Sequence, residues 1–335
     1  MIAASRAPGH PATWQGALAG AVTDPAELVA LLGLDPALVA PARAGAARFG
    51  LRVPRGFVAR MRRGDPADPL LRQVLPLGAE LDEVAGFGAD PVGDLASAVA
   101  PGVLHKYQGR ALVVAPGACA VNCRYCFRRE FPYAEQSAGA GRWRDAVAAL
   151  AADPSIEEVI LSGGDPLSLG NERLADLLAA LESLPQLRRL RIHTRLPVVL
   201  PERVDTGLLE LLAATRLRQV VVIHANHAAE IDAAVEAALA ALARGGATLL
   251  NQSVLLAGVN DSADVLAALS ERLFAAGVLP YYLHLLDRVR GAAHFEVAEP
   301  VAVGLIEALR RRLPGYLVPR LVREAAGAGS KTPVA

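Results

Sequence analysis

All three cysteines of this 335-residue chain fall within one short stretch, Cys119-Ala-Val-Asn-Cys123-Arg-Tyr-Cys126-Phe-Arg-Arg129. Thiols that merely fill a core are scattered, whereas three thiolates separated by three and then two residues can grip three corners of a cubane iron-sulfur cluster. The fourth iron then lacks a protein ligand. Such an iron can chelate the amino and carboxylate groups of S-adenosylmethionine (SAM) and pass an electron into its sulfonium, which yields a 5'-deoxyadenosyl radical. Structural zinc requires four closed ligands, and the nearest histidine, His105, lies upstream of the strand that leads into the cysteines. A disulfide framework is excluded by the odd count and by the absence of secretory features.

Lysine usage is the second chemical signal. Of 34 basic residues only Lys106 and Lys331 are lysine, and the rest are arginine. Guanidinium does not deprotonate in proteins and cannot form a Schiff base, so a chain that uses arginine for ordinary positive charge and keeps two lysines marks both as candidates for covalent chemistry. Lys331 follows a flexible Gly-Ala-Gly-Ser run that lets a terminal segment fold over a site. A third signal is Ser162-Gly163-Gly164-Asp165-Pro166, where glycine lets backbone approach a ligand closely. It lacks the Gly-Lys-Ser/Thr of a phosphate loop.

The elements that must position these residues are legible from apolar periodicity. Strand-like runs at Ala111–Ala115, Ile156–Ser162, Leu190–Thr194, Gln219–Ala225, Thr248–Leu255 and Tyr281–Leu286 recur about every thirty residues, with amphipathic helices such as Glu230–Arg244 and Ser262–Ala276 between them. The pattern predicts an α/β fold: six strand-helix units in an incomplete barrel, whose site forms at the C-terminal ends of the strands. Residues 1–105, rich in Ala, Pro and Gly, read as a helical N-terminal cap without catalytic residues of its own, with Asp68–Pro76 as a docking segment. Residues 106–316 form the barrel, and 317–335, with a last strand at Leu317–Val322, close its mouth.

Basic and acidic residues balance at 34 each, which removes the electrostatic footprint of a nucleic-acid or anionic-membrane binder. Neither a secretory leader in Met1–His10 nor an apolar run of about 18 residues is present, so a cytoplasmic protein is expected. The oligomeric state is not legible.

Cys-x3-Cys-x2-Cys followed by an aromatic resembles the radical SAM signature. From about Asp68 to Lys331 the chain further resembles the lysine 2,3-aminomutases, which combine a 4Fe-4S cluster, SAM and pyridoxal 5'-phosphate (PLP). The matches are Cys-Arg-Tyr-Cys-Phe-Arg-Arg, Leu161-Ser-Gly-Gly-Asp-Pro-Leu167, Thr194-Arg-Leu-Pro-Val-Val-Leu-Pro201, His224-Ala-Asn-His227, Asn251-Gln-Ser-Val-Leu-Leu-Ala-Gly-Val-Asn-Asp261, and Tyr281-Tyr-Leu-His-Leu-Leu-Asp287 followed by His294-Phe. The short chain, Asp68–Pro76 and Gly329-Ser-Lys-Thr-Pro333 resemble most the branch that makes β-lysine, in its R form, for modifying elongation factor P.

That resemblance implies conversion of free L-lysine to β-lysine, an external electron donor, and a ligase for elongation factor P as recipient of the product. It implies Cys119, Cys123 and Cys126 as cluster ligands, Lys331 as the residue in Schiff-base linkage to PLP, and Arg110 as holder of its phosphate. Gly163 and Gly164 would lie at the SAM amino group, and His224, Gln252 and Arg195 would touch SAM. Arg128 would clamp the substrate carboxylate, and Asp287 and Glu324 would receive its distal ammonium. Glutamate replaces the family's usual aspartate at 324. The extra cysteines that bind structural zinc in longer relatives are absent, and Ala328 and Ser330 interrupt the glycine-rich lysine segment. His224 and His227 have a metal-like spacing without a third ligand. Rival expectations are an aminomutase for arginine or ornithine, a radical SAM enzyme without PLP, and an iron-sulfur sensor or electron carrier.

Overall fold

The structure, a computed structural model, describes residues 13–138 and 143–335; Met1–His10, read above for a leader, lies outside them. Ten strands form one sheet in sequential order: β1 (Ala98–Ala100), β2 (Val103–Tyr107), β3 (Arg110–Val114), β4 (Glu158–Ser162), β5 (Arg189–Thr194), β6 (Arg218–His224), β7 (Thr248–Val254), β8 (Leu279–His284), β9 (Arg320–Arg323) and β10 (Thr332–Pro333). Strands β3 to β9 run parallel throughout. An antiparallel β1–β2 pair extends one edge and β10 folds back on β9 at the other. The sheet is therefore an unclosed barrel, with helices on its outer face.

Five α-helices among the described residues precede the sheet: α1 (Trp14–Ala19), α2 (Pro25–Leu32), α3 (Val39–Arg48), α4 (Arg55–Val58) and α5 (Pro69–Arg72). The crossovers carry α6 (Tyr133–Gln136), α7 (Trp143–Ala151), α8 (Asn171–Glu182), α9 (Leu196–Val199), α10 (Thr206–Ala214), α11 (Ala233–Arg244), α12 (Ala263–Ala275) and α13 (Glu299–Arg312). Local chemistry sets the helix starts. Side chains of Asp205, Asp232 and Ser262 cap α10, α11 and α12 by accepting backbone N–H bonds, each satisfying an otherwise orphaned donor. Helix α11 buries Val235, Ala238, Leu239 and Leu242, a 3–4 spacing that turns one stripe toward the sheet. Strand β4 is buried at every position, as expected where a parallel sheet is covered on both faces. Along β7 the side chains alternate, with Leu249, Asn251 and Ser253 buried and Gln252 and Val254 on the barrel interior.

The N-terminal helices share the main core: Trp14, Leu28, Phe57, Leu70 and Leu71 belong to the same buried cluster as Leu177, Val221 and Leu239. The Asp68–Pro76 segment does dock. Asp68 caps α5 through bonds from the N–H groups of Leu70 and Leu71 at 2.9 and 3.0 Å, and Leu70, Leu71 and Val74 are fully buried. The expected boundary at residue 105 cuts through β2, so the cap contributes two strands to the sheet besides its helices. The last parallel strand begins at Arg320 rather than Leu317, because Gly315–Leu317 forms a 3-10 turn. No helix among the described residues is long and apolar enough to cross a membrane.

Candidate active site

The strands converge on one cavity of about 1000 Å³, whose wall includes the three cysteines, Arg128, Gly163, Gly164, Arg195, His224, Gln252, Asp287, Glu324, Lys331 and Arg110. Most come from C-terminal strand ends. Val114 pairs with Ser162, His224 with Gln252, and His284 with Val322, so the loops that follow these strands rise on one side of the sheet. Arg110 is different. It opens β3, roughly 13 Å of strand away from the point where the cysteine loop begins, and its guanidinium lies 4.8 Å from the centre of the Tyr107 ring. The cavity thus runs the depth of the barrel.

At the upper end the cysteine loop is held by short turns, with Cys126 N–H on Cys123 O at 3.0 Å and Arg129 N–H on Cys126 O at 3.1 Å. Its neighbouring arginines divide the work. Arg124 and Arg129 both pair with the fully buried Glu80, anchoring the loop to the cap, while Arg128 turns into the cavity. Burial and then their mutual repulsion push the Cys119 thiol well above its ordinary value and Cys126 up to about 11. Such a set favours binding an electropositive centre that takes thiolates, and suits the three-cysteine cluster. All three cysteines line the cavity, although no three histidine, cysteine or carboxylate side chains among the described residues gather closely enough to hold a single metal ion. His224 Nε2 lies 2.9 Å from Tyr125 OH, and His227 Nδ1 accepts the N–H of Ala229 at 3.1 Å. The first is held neutral, its pKa brought to about 3 by burial and then by Arg195.

Gly163 and Gly164 serve first to join β4 to the cysteine loop. Gly164 and Asp165 donate to Pro116 O and Ala118 O at 2.8 Å each, and a Cβ on Gly163 or Gly164 would meet those same oxygens at 2.6 and 2.3 Å. Gly163 also needs glycine for its φ of +118°. Asp165 then ties the next strand end into place by accepting from Thr194 Oγ1 and Arg195 N–H, both at 2.7 Å.

Arg195 does not point freely into the cavity. Its Nη1 contacts Cys123 Sγ at 2.7 Å and Tyr125 OH at 2.8 Å, and its Nη2 contacts Gln73 Oε1 at 2.7 Å and Glu230 Oε2 at 2.9 Å. Only Nε is left unpartnered.

Along the cavity wall from the cysteines, Arg128 donates from Nε to Asp94 Oδ2 at 2.7 Å and from Nη1 to Ser162 Oγ at 3.1 Å. Lys331 Nζ sits 2.6 Å from Glu324 Oε2, and Tyr107 OH donates to Glu324 Oε1 at 2.8 Å. The two acids are driven apart. Burial opposes ionisation of Glu324, but Lys331 and the bonds from Lys331 and Tyr107 override it and bring its pKa to about 2. Asp287 makes no such bond, and burial raises it to about 7 despite the attraction of Lys331. The barrel thus offers an amine beside an ionised carboxylate, a guanidinium, and an acid poised near neutrality. This donor set suits PLP held by a lysine, together with an amino acid carrying a second cation.

The region expected to be a cap without catalytic residues of its own positions the site from outside: Gln73, Glu80 and Asp94 hold Arg195, Arg124, Arg129 and Arg128. Each is a single polar residue in an apolar or loop context, and no local pattern marks it.

Residues 113–263 match the family description "Radical SAM superfamily". The chain is 50% identical over 322 residues to the L-lysine 2,3-aminomutase of Escherichia coli (strain K12), covering 96% of this chain and 94% of that one. It is 47% identical to the protein of the same name from Haemophilus influenzae, covering 95% and 94%, and 41% identical to that from Buchnera aphidicola, covering 96% and 95%. A likeness of this extent, over nearly the whole of both chains, means that the chain belongs to the L-lysine 2,3-aminomutase family of radical SAM enzymes.

Proposed function

We propose that this protein converts free L-lysine to β-lysine, with Cys119, Cys123 and Cys126 holding a 4Fe-4S cluster and Lys331 holding PLP. The observation that carries the reading is one continuous cavity lined by the three thiols, by Lys331, and by opposite charges suited to both ends of lysine. When bound, SAM at the open iron supplies the hydrogen-abstracting radical, and PLP supplies the π system across which an amino group moves from C2 to C3.

The protein's own residues bind and orient. Arg110 takes the PLP phosphate at the deep end. His224, Gln252, Gly163 and Gly164 line the cavity where SAM would lie, and Arg195 borders it through its bonds to Cys123 and Tyr125. Arg128 holds the substrate carboxylate, and its bond to Asp94 fixes the guanidinium plane while leaving other N–H groups for the ligand. Glu324 and Asp287 receive the distal ammonium. Peptide-bound lysine is excluded, because its α-amine and carboxylate are both consumed. The walls keep the reacting centre dry, so a radical meets substrate rather than solvent.

We further propose the R product, an external one-electron donor, a cytoplasmic setting, and a ligase acting on elongation factor P as recipient. The support is the likeness of Asp68–Pro76 and Gly329–Pro333 to that branch. Anaerobic incubation of the reconstituted protein with SAM, dithionite and a panel of free amino acids tests the reading. β-Lysine formed from lysine is the expected result, and conversion of glutamate, or SAM left uncleaved, would refute it.

A further inference from the structure

Lys106 is the second of the chain's two lysines, and the reaction described above gives it no task. Its side chain is 15% exposed and its ammonium meets acceptors in three directions: Asp94 Oδ1 at 2.6 Å, the carbonyl of Val92 at 2.8 Å, and Glu324 Oε1 at 3.4 Å. Asp94, 2% exposed, gives its other oxygen to Arg128 at 2.7 Å, and Glu324 gives its other oxygen to Lys331 at 2.6 Å. Charges therefore alternate along one wall of the cavity as Arg128, Asp94, Lys106, Glu324, Lys331. Arg128 and Glu324 are the groups assigned to the two ends of the substrate. Asp94 and Lys106 form the link between them.

We propose that Lys106, clamped to Asp94, is a positioning residue that sets the spacing between Arg128 and Glu324 and thereby selects the substrate by chain length. The proposal rests on the reading under "Proposed function". Glu324 follows the end of β9 on a connecting segment, where a free carboxylate would sample several rotamers. Lys106 and Tyr107 both donate to Oε1, which fixes Oε2 on the side where it meets the Lys331 ammonium. Lys106 also separates Glu324 from Asp94, two carboxylates that would otherwise repel across a poorly solvated gap. An ammonium suits the position because its three N–H bonds diverge, whereas a guanidinium presents a planar fork. This accounts for lysine at 106 in a chain that otherwise prefers arginine.

The test compares wild type, Lys106→Met, Lys106→Arg and Tyr107→Phe as anaerobically reconstituted proteins with cluster and PLP loaded. Lysine and ornithine turnover are measured, and lysine binding is followed separately through the pyridoxal absorbance in the absence of SAM. Loss of one charge-assisted contact to Glu324 should raise KM for lysine in Lys106→Met about tenfold, with kcat changed less than about threefold. The lysine dissociation constant should rise in parallel, and the preference for lysine over ornithine should narrow. Lys106→Arg, which keeps the charge but not the three divergent bonds, should recover only part of the lost affinity. Tyr107→Phe should move KM the same way by less, and it stands in if Lys106→Met does not fold. Wild-type KM and ornithine discrimination in Lys106→Met, or in Tyr107→Phe where that variant stands alone, overturn the proposal. So does a folded Lys106→Arg no better than Lys106→Met, or loss of covalent PLP on removing Lys106. A wild-type protein inactive on lysine refutes the underlying functional reading instead, before any variant is compared.

Discussion

At the cysteine end of the cavity the polar groups satisfy one another: Glu230 accepts from Gln73, Arg195 and the N–H groups of Asn226 and His227, and Tyr125 joins Arg195, Asn226 and His224. At the lysine end the charges form an alternating row, and the Asp287 carboxyl stands beside it with no ion pair among the described residues, burial raising its pKa to about 7. A network saturated but for Arg195 Nε holds one geometry and resists titration, which suits a resident cluster. An incompletely paired row can exchange a cation, which suits a substrate that enters and leaves. The cavity is thus fixed at one end and exchangeable at the other.

The largest effects should separate the two ends completely. Cys119→Ala, Cys123→Ala and Cys126→Ala should each lose the brown chromophore and SAM cleavage, because three thiolates are the minimum for a cluster with one open iron. PLP content should survive, since Lys331 and Arg110 are untouched. A cysteine variant that retains the chromophore and cleaves SAM would break the assignment of the fixed end. The converse variant is Lys331→Arg. Arginine can keep the ion pair with Glu324 but cannot form an imine, so borohydride should no longer fix PLP to the chain while the iron-sulfur spectrum remains. If PLP is still fixed, Lys106, which lines the same cavity, is the residue to which it is joined.

The same division governs what can be read in the sequence. The cysteine loop is contiguous, and its seat at the end of an apolar strand follows from periodicity alone. The expected strands from Ala111 to Leu286 fall within about two residues of the observed ones, because each is an apolar run bounded by turn chemistry. The β1–β2 pair was missed, since three- and five-residue strands in an Ala- and Gly-rich region leave no period to detect. Lys106 and Lys331 stand out by rarity, but their meeting at Glu324 across 218 and 7 residues of chain is a tertiary event. Asp94 and Gln73 carry no local signature, because what distinguishes them is the arginine each one faces.

A smaller effect is expected at the exchangeable end. Asp287→Asn removes the negative charge and one of the two acceptor oxygens facing the distal ammonium, and should cost roughly 1.5–3 kcal/mol of transition-state binding, read as a ten- to hundredfold fall in kcat/KM for lysine. Cluster and PLP contents should be unchanged. Intact lysine turnover in this variant would mean that Glu324 alone binds the cation, and the contrast between a saturated and an exchangeable end would lose its main support.

The smallest effect is a pH dependence. Burial raises Asp287 to about 7, whereas Glu324 at about 2 stays ionised across the neutral range. The substrate ammonium also keeps its charge there, at an ordinary pKa near 10.4. Between pH 6 and 8 the changing charge among these groups is therefore Asp287, which is mostly protonated at the lower limit and mostly ionised at the upper. Lysine binds better to the ionised form, so KM for lysine should fall as pH rises, by up to about tenfold for a single group passing through its pKa. The stability term has the opposite sense. The folded protein keeps the Asp287 proton between about 3.8 and 7, where the unfolded chain has released it, so this group makes folding less favourable as pH rises through that window. Asp287→Asn should flatten both profiles. A KM that is constant from pH 6 to 8 in the wild type, or that keeps its slope in Asp287→Asn, would show that the titrating acid of this pocket is another group.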